Sequence, residues 1–155
     1  MRVNRVSFTG YNDEQKKRIL AQCTPNTHIG RGLTADVYDL GNNTVAKIYR
    51  STSRANAILR DLNLENQQLS NSMGTSIFEN SSISFPKQHG AFIDSSSGRV
   101  VAVYDKVRGK TFGDVGLSSP SIAQKYIQAL DDIEEAGYHH IDVKPDNLML
   151  EDDDL

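Results

Sequence analysis

Ile29-Gly30-Arg31-Gly32-Leu33-Thr34-Ala35-Asp36-Val37 opens a strand-and-turn stretch that continues through Asp36–Leu40, Gly41-Asn42-Asn43 and Thr44–Tyr49. Two short runs of mixed apolar and polar residues flank Gly-Asn-Asn, the turn chemistry of a β-hairpin, and the glycine pair stands just before it. Outward from this stretch, His28–Ile29 begins the first strand, and Ser51 or Ser53 opens a helix that runs to about Leu69. Ile58, Leu62 and Leu69 share one face of that helix. Residues 70 to 84 are rich in Ser, Asn and Gly and read as a loop. Ala91–Asp94 and Arg99–Val107 are the next strands, around the turn Ser95–Gly98, and Gly109 to Ser118 is a connector.

On the N-terminal side, Asn12 is placed to cap a short helix, Asp13 to Cys23, that ends before Pro25. On the C-terminal side, Ser119, Pro120 and Gly137 frame another helix, with Ile122, Tyr126, Leu130 and Ile133 at helical spacing. A short strand is expected at Leu148–Leu150. Helix, three strands, helix, two strands, helix, loop and strand is an α+β order.

The chain has 155 residues, enough for one compact core, and carries 17 Lys plus Arg against 20 Asp plus Glu. The resulting net charge of -3 argues against a dedicated nucleic-acid binder. No apolar run approaches the roughly 18 residues of a membrane span. Cys23 is the single cysteine, so no internal disulfide forms and a reducing, cytoplasmic location is expected.

The residues that carry chemistry lie in four places. His140-Ile141-Asp142-Val143-Lys144-Pro145-Asp146-Asn147 sets an aspartate, a lysine two residues on and an asparagine five residues on. Gly30 and Gly32 lie on a strand–turn–strand, with Ala35 three residues after the second glycine. Val45-Ala46-Lys47 places a lysine on the following strand. With about 100° per residue counted from Ile58, Leu62 falls near about 40°, Glu65 near about 340° and Leu69 near about 20°. Glu65 therefore lies within the apolar face, where a carboxylate is costly unless paired. Lys47 is its natural partner.

Together these motifs, in this order from about Ile29 to Leu150, resemble the eukaryotic-type protein kinase family. The resemblance implies a kinase-like α+β fold: an N-terminal extension over 1–26, a five-stranded antiparallel small lobe over 27–108, and a truncated helical large lobe over 109–155 holding the catalytic loop. It implies ATP as cofactor, with Ile29, Gly30, Gly32 and Val37 over the phosphates, and Lys47 on the α- and β-phosphates held by Glu65. Tyr104 takes the gatekeeper place, and backbone groups of Asp105 and Val107 meet the adenine edge. Asp142 would orient a Ser or Thr hydroxyl, Lys144 would stabilise the transferring phosphoryl group, and Asn147 would hold Mg²⁺.

The sequence departs from the family at two points. Ile141 stands where arginine is usual, which removes the usual partner of a phosphorylated activation segment. The second metal-binding aspartate, counted from Asp142, falls beyond Leu155. Three expectations follow: a piece of a longer kinase, an inactive pseudokinase-type binding module, or a carboxylate supplied from Asp152, Asp153 or Asp154. The short connectors resemble the minimal effector kinases that pathogenic bacteria deliver into host cells. That implies a host protein substrate, such as a chaperone or ubiquitin-system component, and secretion into the host cytosol. A truncated large lobe also suggests self-association. A small-molecule phosphotransferase is the other enzyme reading, against which Lys144-Pro145 argues.

Overall fold

A computed structural model describes residues 10–72, 86–135 and 149–151 of the chain. The chain divides into two units, Met1–Gln67 with Pro86–Lys106, and Gln68–Phe85 with Val107–Leu155. The described residues form an α+β structure with a five-stranded antiparallel sheet and four helices.

The first unit is built on that sheet. Its strands are β1 (His28–Arg31), β2 (Ala35–Gly41), β3 (Thr44–Tyr49), β4 (Gln88–Ile93) and β5 (Val100–Asp105), in the order β1-β2-β3-β5-β4. The β2–β3 hairpin turns on Asn42 and Asn43, both left-handed at φ 52° and 58°. Asparagine tolerates that conformation, and two such residues in succession match the twist of a tight hairpin. At the β4–β5 turn, Gly98 has φ +73° and the Asp94 carboxylate accepts from the Ser96 and Ser97 backbone N–H groups.

Strand alternation gives the sheet two faces. Helix α1 (Asp13–Gln22) packs on one, where Ile19 joins Ala46, Phe92, Val101 and Val103 in a buried cluster. Asn12 and Gln15 close a reciprocal capping box at its start, with bonds of 2.8 and 2.9 Å. Helix α2 (Ala55–Ser72) covers the other face, where Ala55 and Leu62 pack with Ala91, Val100 and Ala102.

Several boundaries differ from the sequence expectation, each for a local reason. Helix α2 begins at Ala55, after neither Ser51 nor Ser53; the two serine hydroxyls lie 3.4 Å apart and engage each other. The Arg54 carbonyl instead accepts the first helical bond, from Ile58 at 2.9 Å. Strand β4 starts three residues before Ala91, because Gln88 pairs with Tyr104 across a bulge that skips His89.

In the second unit, β6 (Gly109–Thr111) and β7 (Met149–Glu151) form a two-stranded antiparallel pair. A four-residue helix, α3 (Phe112–Val115), follows β6 under a Thr111–Asp114 capping box. The region expected as a bare connector therefore holds two elements. Helix α4 (Pro120–Glu135) starts where Ser119 and Pro120 place it, the Ser119 carbonyl accepting from Ala123 at 2.9 Å. Ala129 and Ile133 are its buried residues, and the Phe112 and Tyr126 rings lie 5.3 Å apart. Gly137 lies outside the described residues.

Candidate functional site

The glycine hairpin is a tight, tied turn. Leu33 and Thr34 form its tip, since the Gly32 N–H donates to the Ala35 carbonyl at 2.8 Å. Gly30 and Gly32 both have φ outside the left-handed region. A Cβ at Gly30 would meet only Val37, at 3.8 Å, and one at Gly32 only the Ala35 carbonyl, at 3.5 Å. Those are ordinary contacts, so neither backbone conformation nor internal crowding demands glycine at these two positions. Ala35, in the place of a third glycine, is buried at the start of β2. Val37 pairs with Lys47 across β2 and β3, while Ile29 is exposed on β1.

Arg50, just past β3, ties the tip down. Its backbone N–H donates to the Thr34 carbonyl at 2.9 Å, and its Nη2 donates to the Gly32 carbonyl. Arg50 Nη1 lies 3.2 Å from an Asp36 oxygen, and His28 Nε2 is 3.0 Å from the other. These contacts with His28 first, then Arg50, hold the Asp36 carboxyl below its usual range.

Lys47 projects from β3 onto the α2 side of the sheet, between Val37 on β2 and Ala102 on β5. Its ammonium is largely withdrawn from water, and burial pulls its pKa down while the negative charge of Glu65 opposes that fall. Glu65 is half-buried on α2, three residues past buried Leu62, on the helix face turned to the sheet. The structure thus brings Lys47 and Glu65 within electrostatic reach of each other.

Three further side chains, which sequence reasoning missed or cast differently, join them. Tyr49 is two residues along β3 and so on the same face; Lys47 Nζ sits 5.3 Å from its ring centroid. Burial, then Tyr104 and Glu65, push the Tyr49 hydroxyl far above its ordinary value. Tyr104, on β5, is pushed up to about 12 by burial with help from Glu65, against opposing contacts with Gln88 and Tyr49. Gln88 is 8% exposed, and its Nε2 donates to the Leu62 carbonyl of α2 at 3.4 Å. Its Oε1 is buried and has no hydrogen-bond partner among the described residues. The period of two could have flagged Tyr49. Nothing local flags Gln88, a polar residue two positions after Pro86.

Asp105 ends β5 on an exposed position, its N–H donating to the Lys87 carbonyl at 2.9 Å and its carboxylate contacting His89. Val107 is half-buried and belongs to the second unit, whose later segment it opens. Asp142, Lys144 and Asn147 lie outside the described residues. Among the described residues no group of three or more His, Cys, Asp and Glu stands together to hold a metal ion. No described helix is long and apolar enough to cross a membrane.

The first unit can therefore present a desolvated ammonium, steadied by a carboxylate, beside two glycines that its own packing does not require. A scan against protein-family models finds none that matches the chain, and a search of curated proteins finds no match.

Proposed function

We propose that the chain is an ATP-dependent phosphotransferase of the protein-kinase type, acting on a Ser or Thr hydroxyl of a protein. The observation that carries this reading is the Lys47–Glu65 arrangement: a withdrawn ammonium opposed by one helix carboxylate. A desolvated cation binds a phosphate oxygen more strongly than one in water, because little solvent remains to screen it. The two glycines at Gly30 and Gly32 support the fit, since they leave room above the sheet for a bulky polyanion. The five-stranded antiparallel sheet, with α2 between β3 and β4, is compatible with a kinase-like small lobe.

When bound, ATP supplies the transferable phosphoryl group. In this reading Lys47 holds the α- and β-phosphates and Glu65 keeps the Lys47 ammonium aimed. Tyr104 closes the space behind them, and Asp105 and Val107 border the adenine. Asp142 orients the acceptor hydroxyl and takes its proton, and Lys144 neutralises charge on the moving group. Asn147 is the one residue assigned to Mg²⁺. Catalysis then consists of positioning and fixed charge. A host protein as substrate, and delivery to host cytosol, belong to the same proposal.

The tied hairpin tip favours a second reading, a nucleotide-binding module without transfer. One experiment separates the two. Mg-ATP should raise the melting temperature of the whole chain, and Lys47→Met should weaken ATP binding by about tenfold or more. Phosphate transfer to a generic protein acceptor should occur and vanish in Asp142→Ala. ATP binding with no transfer in either protein supports the module; no ATP binding at all removes both.

A further inference from the structure

Beyond β3, a pocket of about 480 Å³ opens between the glycine hairpin tip and the start of α2. Arg50, Ser51 and Arg54 line it, and Leu33, Tyr49 and Ile58 give it apolar walls. Its charged lining is wholly basic. Arg54 is exposed and has no carboxylate partner among the described residues. Arg50 is partly matched by Asp36, yet among the described residues its buried Nη1 makes no aligned hydrogen bond. The 18-residue α2 begins here with no acidic residue in its first turn, so the positive end of its dipole is not offset by a side-chain charge.

Two guanidinium charges, less the Asp36 carboxylate, plus about half a charge from the helix end leave roughly +1.5 at the pocket. A phosphomonoester carries about −1.5 to −2 near neutral pH. A carboxylate matches this surplus less well, and a bare ion would leave the apolar walls idle. The geometry points to this pocket as a binding site for a phosphomonoester carried on an organic group, distinct from the phosphate site proposed at Lys47. Arg54 and the free donor capacity of Arg50 hold the phosphate oxygens in fork geometry, and Tyr49, Ile58 and Leu33 flank the group that bears them. The pocket shares Tyr49 with the Lys47 cluster and the hairpin tip with the proposed phosphate loop, so the Lys47→Met arm of the test is what separates the two sites.

Titrating the whole chain with phenyl phosphate, inorganic phosphate and a phosphoserine peptide, followed by NMR shifts of Tyr49 and Ile58, tests it. Saturable binding of phenyl phosphate tighter than inorganic phosphate is expected. Arg54→Ala should weaken it about tenfold, Arg54→Lys less, and Arg99→Ala, at an exposed arginine outside the pocket, not at all. Lys47→Met should leave the affinity within about twofold. Tighter binding of the peptide than of phenyl phosphate assigns the ligand to a protein segment, and the reverse to a small molecule. The proposal is overturned by absent saturation, by equal affinity for inorganic and phenyl phosphate, or by equal losses in Arg54→Ala and Arg99→Ala. Loss of binding in Lys47→Met overturns it too, because the pocket would then be the nucleotide's own phosphate end.

Discussion

The two faces of the five-stranded sheet are made by alternate residues of the same strands, yet they differ in kind. Under α1 the strands contribute Ala46, Phe92, Val101 and Val103, an apolar set. Under α2 the neighbouring positions include Lys47, Tyr49, Gln88 and Tyr104, with Glu65 entering from the helix. The first face stabilises the fold through burial, at about 25 cal/mol per Å² of apolar surface. The second withdraws polar groups from water, and among the described residues Gln88 Oε1 on this face has no hydrogen-bond partner. Groups like these cost stability. That same face also buries Ala55, Leu62, Ala91, Val100 and Ala102, so both faces contribute apolar burial and only the second adds withdrawn polar groups to it.

The largest effect should come from the apolar face. Phe92 is 1% exposed and its ring meets Tyr11 edge-on, with centroids 6.1 Å apart. Phe92→Ala should cost about 3–5 kcal/mol in urea unfolding at neutral pH. On the polar face, Lys47→Met alone strands the Glu65 charge and should destabilise. The pair Lys47→Met with Glu65→Leu removes both charges and should be neutral or gain about 1 kcal/mol. A double variant as damaged as Phe92→Ala would mean that the polar set holds the fold together, and the contrast between faces would fail.

Alkaline titration sharpens the same contrast. The folded pKa of Lys47 is lowered from 10.5, so the unfolded chain binds more protons in the window between the two values. Its contribution to stability is therefore present above 10.5 and lost as pH falls through the folded value. Tyr104 has the opposite sign: raised from 10.0 to about 12, it contributes fully below 10.0, and that contribution is lost as pH rises through about 12. Tyr49 behaves like Tyr104. Above pH 10 the tyrosines should win, and Tyr104→Phe should flatten the decline in melting temperature. Absorbance at alkaline pH should show Tyr49 and Tyr104 among the late-ionising members of the six tyrosines. Early ionisation of both would show the α2 face to be wet.

What could be read from the sequence was whatever is encoded over short distances. Asn42-Asn43, the Asn12 cap, Ser119-Pro120 and the helical spacing that put Glu65 on the inner face are all local signals. The failures have long-range or overlooked causes. Gln88 is in a strand because Tyr104 and Leu62, 16 and 26 residues away by number, engage it. Gly109–Thr111 is a strand because Met149–Glu151 pairs with it, and no local pattern announces such a partner. Helix α3 had a signal, the Thr111–Asp114 capping box, but four residues are too few to show a period. At the start of α2, two serines offered plausible caps and took each other instead. The charge of Glu65 does act on Lys47, and the strand position of Lys47 and the inward face of Glu65 were readable. Tyr49 and Gln88, which complete their surroundings, were not.

The smallest effect concerns the helix that seals the apolar face. Cys23 ends α1 against this core, its Sγ donating to the Ile19 carbonyl at 3.3 Å, and burial pushes its thiol up to about 11. Since the thiolate is the reactive form, native Cys23 should react with a disulfide reagent at pH 8 far more slowly than the unfolded chain does. Asn12→Ala removes the capping box at the other end of α1 and should cost about 1 kcal/mol. A helix loosened by that amount opens about five times more often, so the Cys23 reaction should quicken by a similar factor. The pair Lys47→Met with Glu65→Leu, on the opposite face and neutral for stability, should leave the Cys23 rate unchanged. If both variants quicken it alike, the two faces open together, and the division of labour between them is one of composition alone.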